Sequence, residues 1–212
     1  MTVQRAVADP ALEVAAKSSK EDWLKLAIDK LIAEGIAGVK VQLLAKQLGV
    51  SRSSFYWFFQ DIQDLQDQLL DYWLKKNTGP IIECAMRPAA NINKAVCNVF
   101  ECWIDSNQFD PDLDIAIRYW GRHEDRIRSV LDEADRQRVD ALTRMFRRYG
   151  YDDEVSETRA RVLYYTQIGH FTLQVRESLV ERFSHVPSYL VTFTGVEPQP
   201  EDVAALKALM TR

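Results

Sequence analysis

Apolar residues recur three and four positions apart in long runs, with brief polar or Gly/Pro interruptions, a pattern that predicts helices throughout. Trp23, Leu24, Ala27, Ile28, Leu31 and Ile32 share one face of a first helix. Either Ser18 with Glu21 or Ser19 with Asp22 can cap its start, and Gly35 ends it. Leu44, Ala45 and Leu48 mark a short second helix stopped by Gly49, and Ser51 is placed to cap a third running through Phe59. On that third helix Phe55, Phe58 and Phe59 face one side with Ser51 at its edge, while Ser53, Tyr56, Trp57 and Gln60 face the other. Asp61 then caps a fourth helix with Leu65, Leu69, Tyr72 and Trp73 inward and Asp64, Asp67 and Asp71 outward, up to a break at Asn77-Thr78-Gly79-Pro80.

Beyond a loop near Arg87-Pro88, the residues Ile92, Val96, Val99, Phe100 and Trp103 predict a fifth helix. Asp110-Pro111 opens the next, which carries Leu113, Ile115, Ile117 and Trp120 to Gly121. From about Glu124 to Tyr149 the apolar spacing continues, with Asp132/Arg136 and Asp140/Arg144 four apart as surface ion pairs. Ser156 to about Glu181 reads as one long helix that is apolar on more than one side. Segments over 184–194 and 201–210 complete an all-α chain with sparse Gly and Pro and no repeat.

Two short helices joined by a tight turn at Gly49 form a helix-turn-helix, and the first helix supplies the apolar surface that such a pair lacks. The outward face of the third helix holds hydrogen-bonding side chains and no acid. Between Ile36 and Gln60 the charged residues are Lys40, Lys46 and Arg52, a local balance of +3 in a chain of formal net charge −4. Local sign governs contact with phosphates, so this face suits a nucleic-acid groove.

The residues Gly49-Val50-Ser51 followed by Phe55-Tyr56-Trp57-Phe58-Phe59, with Leu44-Ala45 before them and a helix ending at Gly35, resemble the TetR family of bacterial transcriptional regulators. The resemblance covers roughly the first third of the chain. Two positions depart from the usual pattern: Lys40 stands where a Thr or Ser commonly caps, and Ile62 where a Lys commonly follows the aromatic run. The resemblance implies a mobile arm over 1–17, a three-helix helix-turn-helix DNA-binding domain with its linking helix over 18–78, and a larger helical ligand-binding and dimerisation domain over 79–212. It implies a cytoplasmic, homodimeric, ligand-responsive repressor that binds double-stranded DNA at a pseudo-palindromic operator. Arg52, Ser53 and Trp57 would lie nearest base edges, and Lys40, Ser54 and Tyr56 mostly on phosphates, with Gln42 and Ser51 beside them. A pocket for a hydrophobic or aromatic effector would draw on Trp73, Phe100, Trp103, Tyr119, Trp120, Tyr164, Gln167 and Phe171, with His170 nearby. Val162, Tyr165, Thr166, Gly169, Leu173 and Arg176, on a second side of the long helix, would meet a partner subunit. The competing reading is a dimeric helical scaffold or small-molecule-binding protein that does not bind DNA.

Composition narrows the chemistry. With 212 residues and 47% hydrophobic content, the chain can bury a substantial core. No apolar run is long enough to span a membrane, and residues 1–17 lack the apolar core of a secretory signal. Cys84, Cys97 and Cys102 are odd in number and lack metal-ligand spacing, which fits a reducing cytoplasm. His123, His170 and His185 are scattered, and Asp105, Asp110, Asp112 and Asp114 lack the spacing of a calcium loop, so no metal is expected. No nucleophile elbow, phosphate loop or other catalytic arrangement is present, and neither enzyme activity nor a cofactor is expected.

Overall fold

Ser19 and Asp22 cap each other at the start of the first helix, α1 (Lys20–Glu34). The Asp22 N–H donates to Ser19 Oγ at 3.1 Å and the Ser19 N–H to Asp22 Oδ2 at 2.7 Å, so two otherwise orphaned donors are satisfied. In the computed structural model, residues 18–209 are described, the side chains of residues 179, 205 and 209 excepted, and no strand occurs among them. The expected N-terminal arm over 1–17 lies outside the described residues. Two compact units are formed, divided between Trp73 and Leu74, so residues 74–78 group with the larger unit.

In the first unit, Trp23, Leu26, Ala27 and Leu31 of α1 are buried, whereas Ile32 is exposed. Helix α2 (Val41–Leu48) ends at Gly49, whose φ of 70° lets its N–H turn back to the α2 carbonyls. A 3₁₀ segment (Arg52–Trp57) follows, then α3 (Ile62–Trp73). Asp61 caps α3 by accepting from the Asp64 N–H at 2.9 Å. The inward stripe of α3 is Leu65, Leu69, Leu70 and Trp73, while Tyr72, expected inside, is exposed.

The second unit opens on a π turn (Leu74–Thr78) that runs into α4 (Gly79–Met86). The Asn77-to-Pro80 stretch is therefore helical rather than a break, because Pro80 sits in a first turn, where its missing N–H costs nothing. Helices α5 (Ile92–Ile104), α6 (Pro111–Gly121), α7 (Asp125–Arg148) and α8 (Asp153–Thr172) follow. Then come α9 (Leu179–Ser184), α10 (Val186–Thr194) and α11 (Pro200–Leu209). Helix α8 stops at Thr172, short of the expected Glu181. Gln174 adopts φ 50° and closes the helix, while the apolar spacing that suggested continuation ends in an exposed Leu173. On α7, Arg136 pairs with Glu133 and Asp140, and Asp132 takes Arg128, replacing the pairings expected from spacing alone. The three cysteines are buried and free, and burial pushes the Cys97 thiol up to about 12.

A buried charge cluster ties this unit together. Arg138 on α7 is fully buried; its Nε donates to Thr78 Oγ1 at 3.1 Å, and its Nη1 to Asp114 Oδ1 and the Tyr164 hydroxyl at 3.1 and 3.0 Å. Arg118 on α6 donates to Asp114 at 2.8 Å and in a fork to both oxygens of Asp135. The Tyr164 hydroxyl donates to Asp135 Oδ1 at 2.6 Å. Burial opposes the charge on Arg118, but the hydrogen bonds to Asp135 and the Asp114 carboxylate outweigh it and hold the guanidinium above its ordinary range.

Arg138→Ala would break the buried ion pair to Asp114, leaving that carboxylate with Arg118, and would take the Arg138 donors from Thr78 and Tyr164; it should cost about 3–5 kcal/mol in chemical denaturation. Burial raises the Tyr164 phenol above its ordinary 10.0. The fold thus keeps Tyr164 neutral where the unfolded chain ionises it. Its contribution is whole below that value and is lost as pH climbs from there toward the raised folded-state value, and denaturation series run above pH 10.0 should show Tyr164→Phe with a shallower loss than the parent.

Candidate functional site

The 3₁₀ segment and its flanks form the candidate nucleic-acid interface. Phe55 is fully buried; its ring meets Trp23 edge-on at 5.3 Å and stacks on Phe59 at 5.0 Å. Phe58 is only half-buried. With the rings inward, Tyr56 is 63% and Trp57 57% exposed, and Lys40, Gln42, Ser51, Arg52 and Ser53 are exposed as well. No ion pair to Lys40, Lys46 or Arg52 occurs among the described residues, so their charge is uncompensated by contact. Lys40 precedes α2 without a side-chain cap, which leaves its ammonium to solvent.

Two expectations need correction. Ser51 does not cap the segment through its side chain: its Oγ pairs with Ser53 Oγ at 2.8 Å, and its backbone carbonyl accepts from the Ser54 N–H and hydroxyl instead. Ser54, placed among the phosphate contacts, is 2% exposed and donates its hydroxyl to Ser51 O at 2.6 Å. The tighter 3₁₀ winding carries Ser54 under the segment, where the hydroxyl stabilises the turn.

The second unit contains a cavity of about 60 Å³, lined by Phe100, Trp103 and Ile104 of α5, Leu163, Thr166, Gln167 and His170 of α8, and Glu177. Arg182 and Phe183 of α9 and Val186, Tyr189 and Phe193 of α10 complete it. Arg182 Nη2 donates to Gln167 Oε1 at 2.9 Å. Burial, and then the Arg182 charge, lower the His170 pKa, which keeps the imidazole neutral at neutral pH.

Phe100, Trp103 and Gln167 thus line this cavity as expected of pocket residues, and the others do not. Trp73 is buried in the first unit, and Tyr119 is 56% exposed with Arg122 over its ring at 5.0 Å. Trp120 Nε1 donates to Glu124 at 2.7 Å, Tyr164 belongs to the charge cluster, and Phe171 stacks on Phe109 at 5.3 Å. Helices α9 and α10 supply lining that sequence reasoning missed, because the spacing predicts that the long helix runs on to about Glu181 and gives 184–194 no place in the pocket. Among the residues proposed for a partner subunit, Val162, Tyr165 and Leu173 are 45%, 54% and 77% exposed. A side chain at Gly169 would meet nothing within 4 Å.

The pattern of bacterial regulatory proteins of the tetR family matches residues 24–69, the span from the ring cluster's Trp23 neighbour to the core of α3. Over that span the chain is similar to the family. A solved structure described as a transcriptional regulator of the TetR/AcrR family matches this chain with a TM-score of 0.59 at 15% identity, over 83% of this chain and 94% of that one. The reduced form of NemR from E. coli matches with a TM-score of 0.61 at 18% identity, over 86% and 99%. Comparison with curated proteins gave no match. The two structural matches show the shared fold. No helix among its described residues is long and apolar enough to cross a membrane, and no cluster of metal-ligating side chains occurs among them.

Stability measurements separate the two kinds of serine and arginine in the interface. Ser54→Ala should lower the denaturation free energy by about 1 kcal/mol by deleting a buried hydrogen bond, whereas Arg52→Ala should stay within about 0.5 kcal/mol.

Proposed function

We propose that the protein is a homodimeric, ligand-responsive repressor that reads a pseudo-palindromic operator with Arg52, Ser53 and Trp57 at base edges and Lys40, Gln42, Ser51 and Tyr56 around them. The observation that carries this reading is the acid-free exposed surface from Lys40 to Trp57, held outward by the buried Phe55 ring. Arg can bond guanine with two N–H groups, and an exposed tryptophan offers apolar contact to a thymine methyl. A twofold dimer would set two readers about 34 Å apart, one turn of duplex.

The uncovered α8 face supports the dimer: a helix with Val162, Tyr165 and Leu173 in water, and open space beside Gly169, is suited to a second copy of itself. The cavity supports an effector. A route from cavity to reader is supported by the loop between α5 and α6. Ile104 of the cavity wall leads directly into that loop, where Lys76 Nζ donates to the carbonyls of Ser106 and Asn107 at 2.8 and 2.6 Å, and Asn77 Nδ2 to Asp110 O at 2.7 Å. Lys76 and Asn77 lie just beyond the end of α3. An effector that displaces α5 would thereby move the start of the second unit, and it weakens DNA binding only if it prefers the DNA-free form.

Fragments selected from a random duplex pool, titrated by fluorescence anisotropy, test this. Affinity should fall steeply with salt, and Arg52→Ala should lose about 1–3 kcal/mol of binding while its circular dichroism is unchanged. Lys40→Ala, which removes one phosphate contact from each protomer, should lower the salt slope by about 1.8. No selectable fragment, or salt-insensitive binding, would favour the helical scaffold. Joint Tyr165→Glu and Leu173→Glu substitution should turn a dimer into a monomer in sedimentation.

A further inference from the structure

Two of the three buried thiols are in contact. Cys84 on α4 and Cys102 on α5 share a hydrogen bond between their sulfurs, and neither lines the cavity. Cys84 has further polar company: Arg87 Nη2 donates to its Sγ at 3.4 Å, and its thiol donates to Gln108 Oε1 at 3.5 Å. Charged groups reach the pair from three helices, Arg87 and Glu83 on α4, Glu101 on α5 and Arg138 on α7. The bond from Cys102, followed by the Arg87 guanidinium, holds the Cys84 thiol below its ordinary 9.0 against burial and the two glutamates, and the same bond raises Cys102. Cys97, pushed up to about 12 by burial, shows what the interior does to a thiol without that bond.

The pair therefore holds one sulfur eased toward the thiolate, the form that attacks, beside a second that keeps its proton. Cys84 is 1% exposed, which excludes bulky reagents. The guanidinium on its sulfur, however, belongs to a side chain that is 45% exposed. Surface rotamers of that kind turn over within nanoseconds, and a rotation of Arg87 admits a molecule as small as a peroxide. We propose that Cys84 and Cys102 are a peroxide-oxidisable pair, Cys84 attacking and Cys102 resolving, that closes to a reversible disulfide between α4 and α5. The Cys84 thiolate takes one peroxide oxygen, the O–O bond breaks and hydroxide leaves, giving a sulfenic acid. The Cys102 sulfur then attacks Cys84 Sγ, the S–O bond breaks, and the departing oxygen takes the Cys102 proton as water. Two thiols and one peroxide become one disulfide and two waters.

Peptide mapping of the full chain after hydrogen peroxide, with free thiols alkylated under denaturing conditions, tests the pair. A Cys84–Cys102 cross-linked peptide should form and be cleaved by dithiothreitol, while Cys97 stays alkylatable. The rate should rise with pH to a midpoint below 9.0, as a thiol with a lowered pKa requires. Cys102→Ser should leave Cys84 as a sulfenic acid that dimedone captures, and Cys84→Ser should leave Cys102 unoxidised; if either variant fails to fold, the map and pH profile of the parent chain decide alone. A cross-link through Cys97, no cross-link, a midpoint at or above 9.0, or dimedone capture at Cys102 in Cys84→Ser would overturn the assignment. So would a rate that climbs with added urea in step with unfolding, because the sulfurs would then be reached only in the unfolded chain.

Discussion

The surface proposed to read DNA depends on one contact, the Phe55 ring held between Trp23 and Phe59. A six-residue 3₁₀ segment has too few backbone hydrogen bonds to persist alone, and its geometry is poorer than that of an α-helix. Burying Phe55 completely anchors the segment to α1, and the same burial turns Tyr56 and Trp57 outward. The Ser54 hydroxyl on the Ser51 carbonyl then tightens the turn from beneath. Core packing and surface presentation are one event here, since any rotation that exposed the phenylalanine would withdraw its neighbours from the groove.

The larger unit uses a different adhesive. Arg138 is a full charge with no solvent contact, and it survives because Asp114, Thr78 and Tyr164 meet it from three elements. An apolar cluster tolerates sliding, while directional bonds among ions do not, so the register of α6, α7 and α8 is defined at this point. Thr78 brings the end of the π turn into the same arrangement. The cavity lies along the adjoining stretch of α8, from Leu163 to His170, and is walled largely by aromatic side chains.

Much of this was legible in the chain. The Ser19 and Asp22 reciprocal cap, Gly49 as a stop, Asp61 as a cap and the inward Phe55 and Phe59 follow from local rules that need no tertiary information. Reading Ser54 outward failed because a 3₁₀ winding turns 120° per residue rather than 100°, and nothing in the sequence announces that change. Arg138 sits among six other arginines and lysines along α7 and looks like surface; its burial is a property of what Asp114 and Tyr164 do from distant positions. The pocket was only partly legible for a related reason. Trp73, Trp120 and Tyr164 are buried aromatics like those of the cavity wall, and periodicity reports burial without saying against what.

The grip of Lys76 and Asn77 on the α5 to α6 loop is made to main-chain carbonyls of Ser106, Asn107 and Asp110. Carbonyls are common to every residue type, so side chains along that loop are free to drift over evolutionary time without loosening the hold. Insertions, deletions and prolines, which reroute the chain itself, are the changes that lineage divergence would have to avoid there.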